Sequence, residues 1–235
     1  MIGVLGGQFE HAIEKYRCIN DNCVAMFASN NALMFDDILS RIDRSKPILQ
    51  IAEDIHKVMV KIRLEKIDKE ILKAYDVDWT FVKQVLDKQL MNTYVDQILN
   101  KITNYNLASA MLLIGFEKDE AQIYEITEVG FSNLRSINFG VIGSGFQQAS
   151  NALLFQKHSK KDKLETAIYN VYKAKKNSEV SQGVGKETDL LVLFNSGGLK
   201  KTEERHIKKL EEIYQLELNN PKTNVELSVI LGELI

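Results

Sequence analysis

The sequence predicts an α+β layered domain on three observations. Apolar residues recur at steps of three and four along two stretches of the first half, Ile48 to Ile62 and Val82 to Ile98. Beyond Asn104 the apolar residues fall instead in near-continuous runs, Ala108 to Phe116 and Ile123 to Ile126, of the kind that strands show. Strands and helices come in runs rather than in strict alternation, which favours this class over a doubly wound parallel sheet. With 235 residues, 45% of them hydrophobic and only 2 prolines, the chain can bury one substantial core.

The elements follow in order. Tyr16 to Ala28 reads as two short strands joined at Asn20-Asp21-Asn22, residues that tolerate turn geometry. Lys46-Pro47 ends a short helix and starts a long one with the stripe Ile48, Ile51, Ala52, Ile55, Val58, Met59 and Ile62. Asp76-Val77-Asp78 supplies a break and an N-cap before a second long helix, whose stripe is Val82, Val85, Leu86, Leu90 and Ile98. The two apolar runs after Asn104 form a hairpin across the charged turn Glu117-Lys118-Asp119-Glu120. Phe139 to Ile142 is expected to be a third strand, running through Gly143-Ser144-Gly145 into a helix over Phe146 to Lys157. Asp162 with Glu165 fits a capping arrangement for a further helix with Leu164, Ala167, Ile168, Val171 and Ala174 buried, ending near Lys176. A glycine-containing loop, Asn177 to Thr188, feeds a strand over Asp189 to Phe194. Last comes a charged helix, Thr202 to Leu218, with Ile207, Leu210, Ile213 and Tyr214 on one face, and then the apolar stretch Pro221 to Ile235 as a strand or docking tail.

Composition narrows the functions. A formal net charge of -2 and an isoelectric point near 6.1 leave no excess positive charge to hold nucleic acid or anionic lipid. The longest apolar run is about ten residues, where a spanning helix needs about 20. No membrane partner is expected. Cys18 and Cys23 are too few for a disulfide framework, and His11, His56, His158 and His206 are scattered, so neither metal nor cofactor is expected and the compartment reads as cytoplasmic.

Taken in order, the segments resemble the proteasome-type subunits of the N-terminal-nucleophile hydrolase superfamily. The resemblance is carried by Gly140-Val141-Ile142-Gly143-Ser144-Gly145 with Ala149 to Leu154, and by Ala174-Lys175-Lys176 through Gly183-Val184-Gly185-Lys186-Glu187-Thr188-Asp189. It spans roughly 14–195. The longer helical stretch between Pro47 and Tyr105 suggests a divergent bacterial or archaeal proteasome-like group. The resemblance implies a four-layer α-β-β-α sandwich over 1–200, with a helical insertion at about 46–104 and a C-terminal helix and tail over 201–235. It also implies ring assembly as a homo-oligomer, and hydrolysis of peptides or unfolded protein by an N-terminal threonine. In such a nucleophile the free α-amino group serves as base for the hydroxyl of the same residue.

By the same resemblance, Lys15 stands where the family places its catalytic lysine, and Ser144 at the serine beside the nucleophile. Ser178 or Glu179, with Ser181, occupies the loop that offers an acid and a serine to the amine. The departure is at the front. No threonine occurs before Thr80, no serine before Ser29 and no aspartate before Asp21. The resemblance therefore implies a chain that begins late, lacking the first strands and the nucleophile.

Other readings of these residues stand beside that one. A non-catalytic ring subunit keeps the sandwich without the chemistry and has Met1 as its true start, and a more distant reading is an amidase using another N-terminal residue. Lys15 also reads as a solvated lysine at a strand end, and Ser144 as a turn and helix N-cap. A phosphate cradle at Gly143-Ser144-Gly145 lacks the lysine of the Walker pattern.

Overall fold

The computed structural model describes residues 2–4, 7–9, 14–29, 31, 33–89 and 92–219. The apolar stretch Pro221 to Ile235 lies outside the described residues, as does Leu90 of the second helical stripe. The fold is mixed α and β with antiparallel sheets.

The chain divides into two compact units. The first takes the described residues of Met1–Ala28, Ala110–Glu125 and Ser132–Ile235, and the second is Ser29–Ser109 with Ile126–Phe131.

The strands of the main sheet run in the order β3-β4-β5-β6-β7: β3 (Tyr16–Asn20), β4 (Cys23–Ser29), β5 (Ser109–Glu117), β6 (Glu120–Ile126) and β7 (Phe131–Asn133). β3 and β4 form the expected hairpin, with Tyr16 opposite Met26 and Cys18 opposite Val24. Asn22 O accepts from Phe116 N (3.1 Å), which fixes the register of β4 on β5. The β5–β6 turn is the charged one the sequence marks, and Lys118 and Asp119 adopt φ values of 51° and 65° to close it. Two further strands stand at the front, β1 (Ile2–Val4) and β2 (Gly7–Phe9), paired with each other antiparallel. No strand is read there from the sequence, because Gly3, Gly6 and Gly7 break any alternation.

Phe139 to Ile142 is not a strand. That segment has no regular structure, and β7 takes the place beside β6 instead. Gly140 explains why the run is apolar all the same, since a Cβ there would stand 2.8 Å from Leu112 Cδ2 and 2.9 Å from Leu134 Cδ1. The segment is pressed onto side chains of β5 and its neighbours without entering a ladder.

From there α5 (Phe146–Phe155) and α6 (Leu164–Ser178) pack through Ala149, Leu153 and Ala174, and α6 packs on α7 (Glu204–Asn219) through Ile168, Tyr169, Tyr172, Leu210 and Ile213. A face with two neighbours is wider than the stripe read from the sequence: Tyr169 and Tyr172 are buried, whereas Leu164 and Val171 remain 37% and 47% exposed. Nor does Asp162 cap α6. Its Oδ2 accepts from Ser159 N (3.0 Å) and faces His158 Nδ1 (3.2 Å), and the N-cap position falls to Lys163 without a side-chain bond. The strand after the glycine loop is shorter than expected, β8 (Leu191–Leu193), and pairs antiparallel with β9 (Leu199–Lys201). Gly197 and Gly198 turn between them at φ 86° and 101°.

The second unit is helical. α1 (Leu33–Ser40) leads to α2 (Ile48–Ile67), whose stripe Ile48, Ile51, Ala52, Ile55, Met59 and Ile62 is buried as expected, while Val58 at its margin is half-buried. A π-helical turn (Asp68–Leu72) and a 3-10 turn (Lys73–Tyr75) finish the helix, and Asp76 at φ 54° stops it. Asp78 then caps α3 (Trp79–Lys88), its Oδ1 accepting from Phe81 N (2.8 Å). The expected second long helix is two helices. Gln89 at φ 52° ends α3, and the Asn92 side chain caps α4 (Thr93–Asn104) by accepting from Val95 N (2.9 Å). The stripe continues across the break, which hides it from periodicity, but Leu86 is 57% exposed. Ile67, Ile71, Leu72, Val82 and Ile98 form the core at this end.

Candidate functional site

The site implied by the resemblance lies in the first unit, where three pieces of chain converge. The first is the end of the β3–β4 hairpin. Lys15 O accepts from Phe27 N (2.9 Å), which extends the ladder one residue beyond β3. The Lys15 side chain is exposed, and its ammonium has no polar partner among the described residues.

The second piece is the Gly-Ser-Gly turn. Gly143 sits at φ 95°, a left-handed backbone for which glycine is suited, and a Cβ there would lie 3.5 Å from Ala28 Cβ on β4. Gly145 is the N-cap of α5 and makes no side-chain cap bond. A Cβ on Gly145 would stand 2.6 Å from Ser178 Cβ, 3.0 Å from Val184 Cγ2 and 3.2 Å from Ser178 O. The turn therefore lies hard against the third piece, the loop that follows α6. Within that loop Gly183, at φ 91°, comes so close to Ser144 that a Cβ would be 3.2 Å from its Oγ.

The structure thus brings Ser144, Ser178 and the Gly183–Val184 segment together. Ser144 is exposed and its Oγ has no hydrogen-bond partner among the described residues. Ser178 is buried and donates from Oγ to Lys175 O (2.6 Å), a bond back onto its own helix. Ser181 N donates to Ser178 O (3.0 Å), while the buried Ser181 Oγ has no hydrogen-bond partner among the described residues. Glu179 does not turn toward the serines. Its Oε1 pairs with Lys175 Nζ (2.5 Å) and its Oε2 with Lys176 Nζ (2.9 Å).

Those two lysines belong to the segment that carries the resemblance, but the sequence reading gives them no role. Their spacing to Glu179, four and three residues on one helix, is the signal that would have marked them. Lys175 also donates to Gly185 O (2.8 Å), so it pins the glycine loop to the end of α6. Lys176 reaches Glu211 Oε2 on α7 (3.1 Å), which accepts a bond from Tyr172 as well (2.5 Å). Burial works against the Lys176 ammonium, but its bonds to Glu179 and Glu211 outweigh that and hold its pKa above the ordinary lysine value. Burial likewise opposes the Glu211 carboxylate, and bonds from Tyr172, Gln215 and Lys176 overcome it and lower its pKa. Tyr172 is pushed upward, by burial first and then by its bond to Glu211.

Chemically, then, the centre is a tightly packed glycine–serine junction flanked by a paired carboxylate and two bound ammonium groups, with Lys15 at its edge. Among the described residues there is no group of three or more His, Cys, Asp or Glu side chains placed to hold a metal ion, and no helix long and apolar enough to cross a membrane. No family model matches the sequence, and no curated protein matches it as a relative.

Proposed function

We propose that the chain is a proteasome-like subunit of a self-compartmentalising, ring-forming peptidase. In this reading the antiparallel sheets and their helices belong to a four-layer α-β-β-α sandwich, and the protein works in the cytoplasm as a homo-oligomer on peptides or unfolded protein. One observation carries the reading: the Gly143–Gly145 turn is seated against the glycine loop after α6 and beside β4, the strand whose Phe27 N bonds to Lys15 O. Two segments more than thirty residues apart in sequence, and singled out for their residue types, are neighbours in space.

Cleavage by this chemistry needs an N-terminal hydroxyl or thiol whose own amine takes the proton, with a backbone N–H receiving the developing oxyanion. Residues 1–14 contain no Thr, Ser or Cys. A catalytic subunit would need such a residue brought within reach of the Lys15 ammonium, which has no polar partner among the described residues. A second reading, a non-catalytic subunit of such a ring, is favoured by the Glu179 pairs and the Ser178 back-bond, which commit the loop's acid and serine to scaffold roles.

N-terminal sequencing and intact mass of protein from its native source, before and after incubation with a peptide epoxyketone, separate the two. The catalytic reading expects a processed N-terminus of Thr, Ser or Cys carrying one adduct, and loss of that adduct in Lys15→Ala. A native chain that starts at Met1 and takes no adduct establishes the non-catalytic reading. A monomeric protein by light scattering would sink both.

A further inference from the structure

The second unit contains a cavity of about 480 Å³ that the proposed peptidase chemistry does not use. Its size falls within the roughly 300–1,000 Å³ of small-molecule sites. It opens where the last turn of α4 meets the segment that follows β6, and Arg63, Thr103, Asn104, Tyr105, Asn106 and Glu128 line it.

Two of these side chains carry opposite charges and are held from behind. Arg63, on α2, donates from Nε to Tyr105 O (3.1 Å) and from Nη2 to Ile102 O (2.9 Å), carbonyls at the α4 C-terminus. Its Nη1 has no partner among the described residues. Glu128 is only 8% exposed, and its Oε1 accepts from Leu107 N (2.9 Å). Its Oε2 has no partner among the described residues either. The backbone that presents Leu107 N is set by Ala108 at φ 50°, with Asn106 Oδ1 accepting from Ala108 N (2.5 Å). Both charged groups are thus pre-oriented by bonds that occupy one edge and leave the other open.

No ion pair joins Arg63 to Glu128 among the described residues, although they line the same space. Neither Glu128 Oε2 nor Arg63 Nη1 is sealed from solvent, so both open edges can be reached from the cavity. One ligand that carries both an ammonium and a carboxylate can pair with both at once. We propose that this cavity binds a small zwitterion, a free α-amino acid, with its ammonium on Glu128 Oε2 and its carboxylate on Arg63 Nη1.

Titration calorimetry of the full chain with L-glutamine, L-serine and L-alanine tests the proposal, with the N-acetyl and methyl ester derivatives of each as controls. At least one free amino acid is expected to bind with a dissociation constant of about 1 mM or tighter. Blocking either end should weaken binding by about tenfold or more, since each block removes one charged contact. Glu128→Gln keeps an acceptor for Leu107 N and removes only the charge. It should weaken the free amino acid by a similar factor while the thermal midpoint stays near that of the parent. The proposal is overturned if none of the three binds, if a blocked derivative binds as well as its parent, or if a folded E128Q protein binds undiminished. Should E128Q fail to fold, the comparison of free and blocked ligands on the unaltered protein decides alone.

Discussion

Gly145 shapes the candidate site more than the serine beside it. Ser144 faces solvent, whereas a single methyl added at Gly145 would enter the contact distance of Ser178 Cβ and approach the backbone Ser178 O, neither of which can rotate away. Overpacking of that kind costs about 1–3 kcal/mol. Gly145→Ala should lower the stability of the first unit by that amount in urea denaturation. Gly130→Ala is the control, because nothing lies within 4 Å of a Cβ there. An alanine at 145 that leaves stability unchanged would mean that the turn is not held against the glycine loop, and the proposed site would lose its main support. At this scale the sequence marks Gly143, Gly145 and Gly183 as turn and loop residues, and only the resemblance puts them with Ser144 in one site. It could not reveal what they touch. The Glu179 pairs with Lys175 and Lys176 follow from helical spacing, but the link from Lys176 to Glu211 spans two helices and leaves no local pattern.

Among the elements, the seam between α6 and α7 is where charge and packing act together. Leu210 and Ile213 bury themselves against Ile168, Tyr169 and Tyr172, and the tips of both tyrosines end on α7 carboxylates, Tyr169 on Glu217 and Tyr172 on Glu211. The lowered Glu211 pKa makes this seam sensitive to acid. A carboxyl whose folded pKa lies below its unfolded value, here an ordinary 4.5, contributes stability above that value and loses it as pH falls through the folded one. Lys176, raised above 10.5, contributes below that pH and loses its contribution as pH rises through the folded value. The seam is therefore strongest between these limits. Thermal midpoints followed from pH 7 downward should fall below about pH 4.5, and Glu211→Gln should flatten that acid limb at the expense of stability at neutral pH. Equal acid slopes in the two proteins would remove Glu211 from the account. Helices with one buried stripe, such as α2, were legible from periodicity. Where a helix has two neighbours, as α6 has, or where a stripe continues across a cap, as between α3 and α4, periodicity misplaces the face or misses the break. The apolar run at Phe139 to Ile142 misleads for a related reason, because close packing of Gly140 against Leu112 and Leu134 produces the same residue types as a strand.

For the whole molecule, the partition into two units sets how it should unfold. Each has a core of its own: Ile168, Tyr169, Tyr172, Leu190, Leu210 and Ile213 in the first, and Ile67, Ile71, Leu72, Val82 and Ile98 in the second. The second unit is discontinuous in sequence, leaving after Ala28 and closing with Ile126–Phe131, so no linker rich in proline or glycine marks its limits. Composition alone cannot expose such a boundary. The chain offers a convenient reporter, since its single tryptophan, Trp79, lies at the start of α3 next to Phe81 and Val82 of the second unit's core. Circular dichroism follows helices of both units, whereas Trp79 emission follows the second alone. Separate cores with different polar reinforcement should lose structure at different urea concentrations, so the two signals should give midpoints that do not coincide. Acid sharpens the comparison. Protonating Glu211 weakens the first unit, so lowering the pH to about 4 should move the dichroism transition to lower urea more than it moves the Trp79 transition. Coincident transitions at both pH values would show instead that the molecule unfolds as one cooperative body, and that the two cores do not act as independent units of stability.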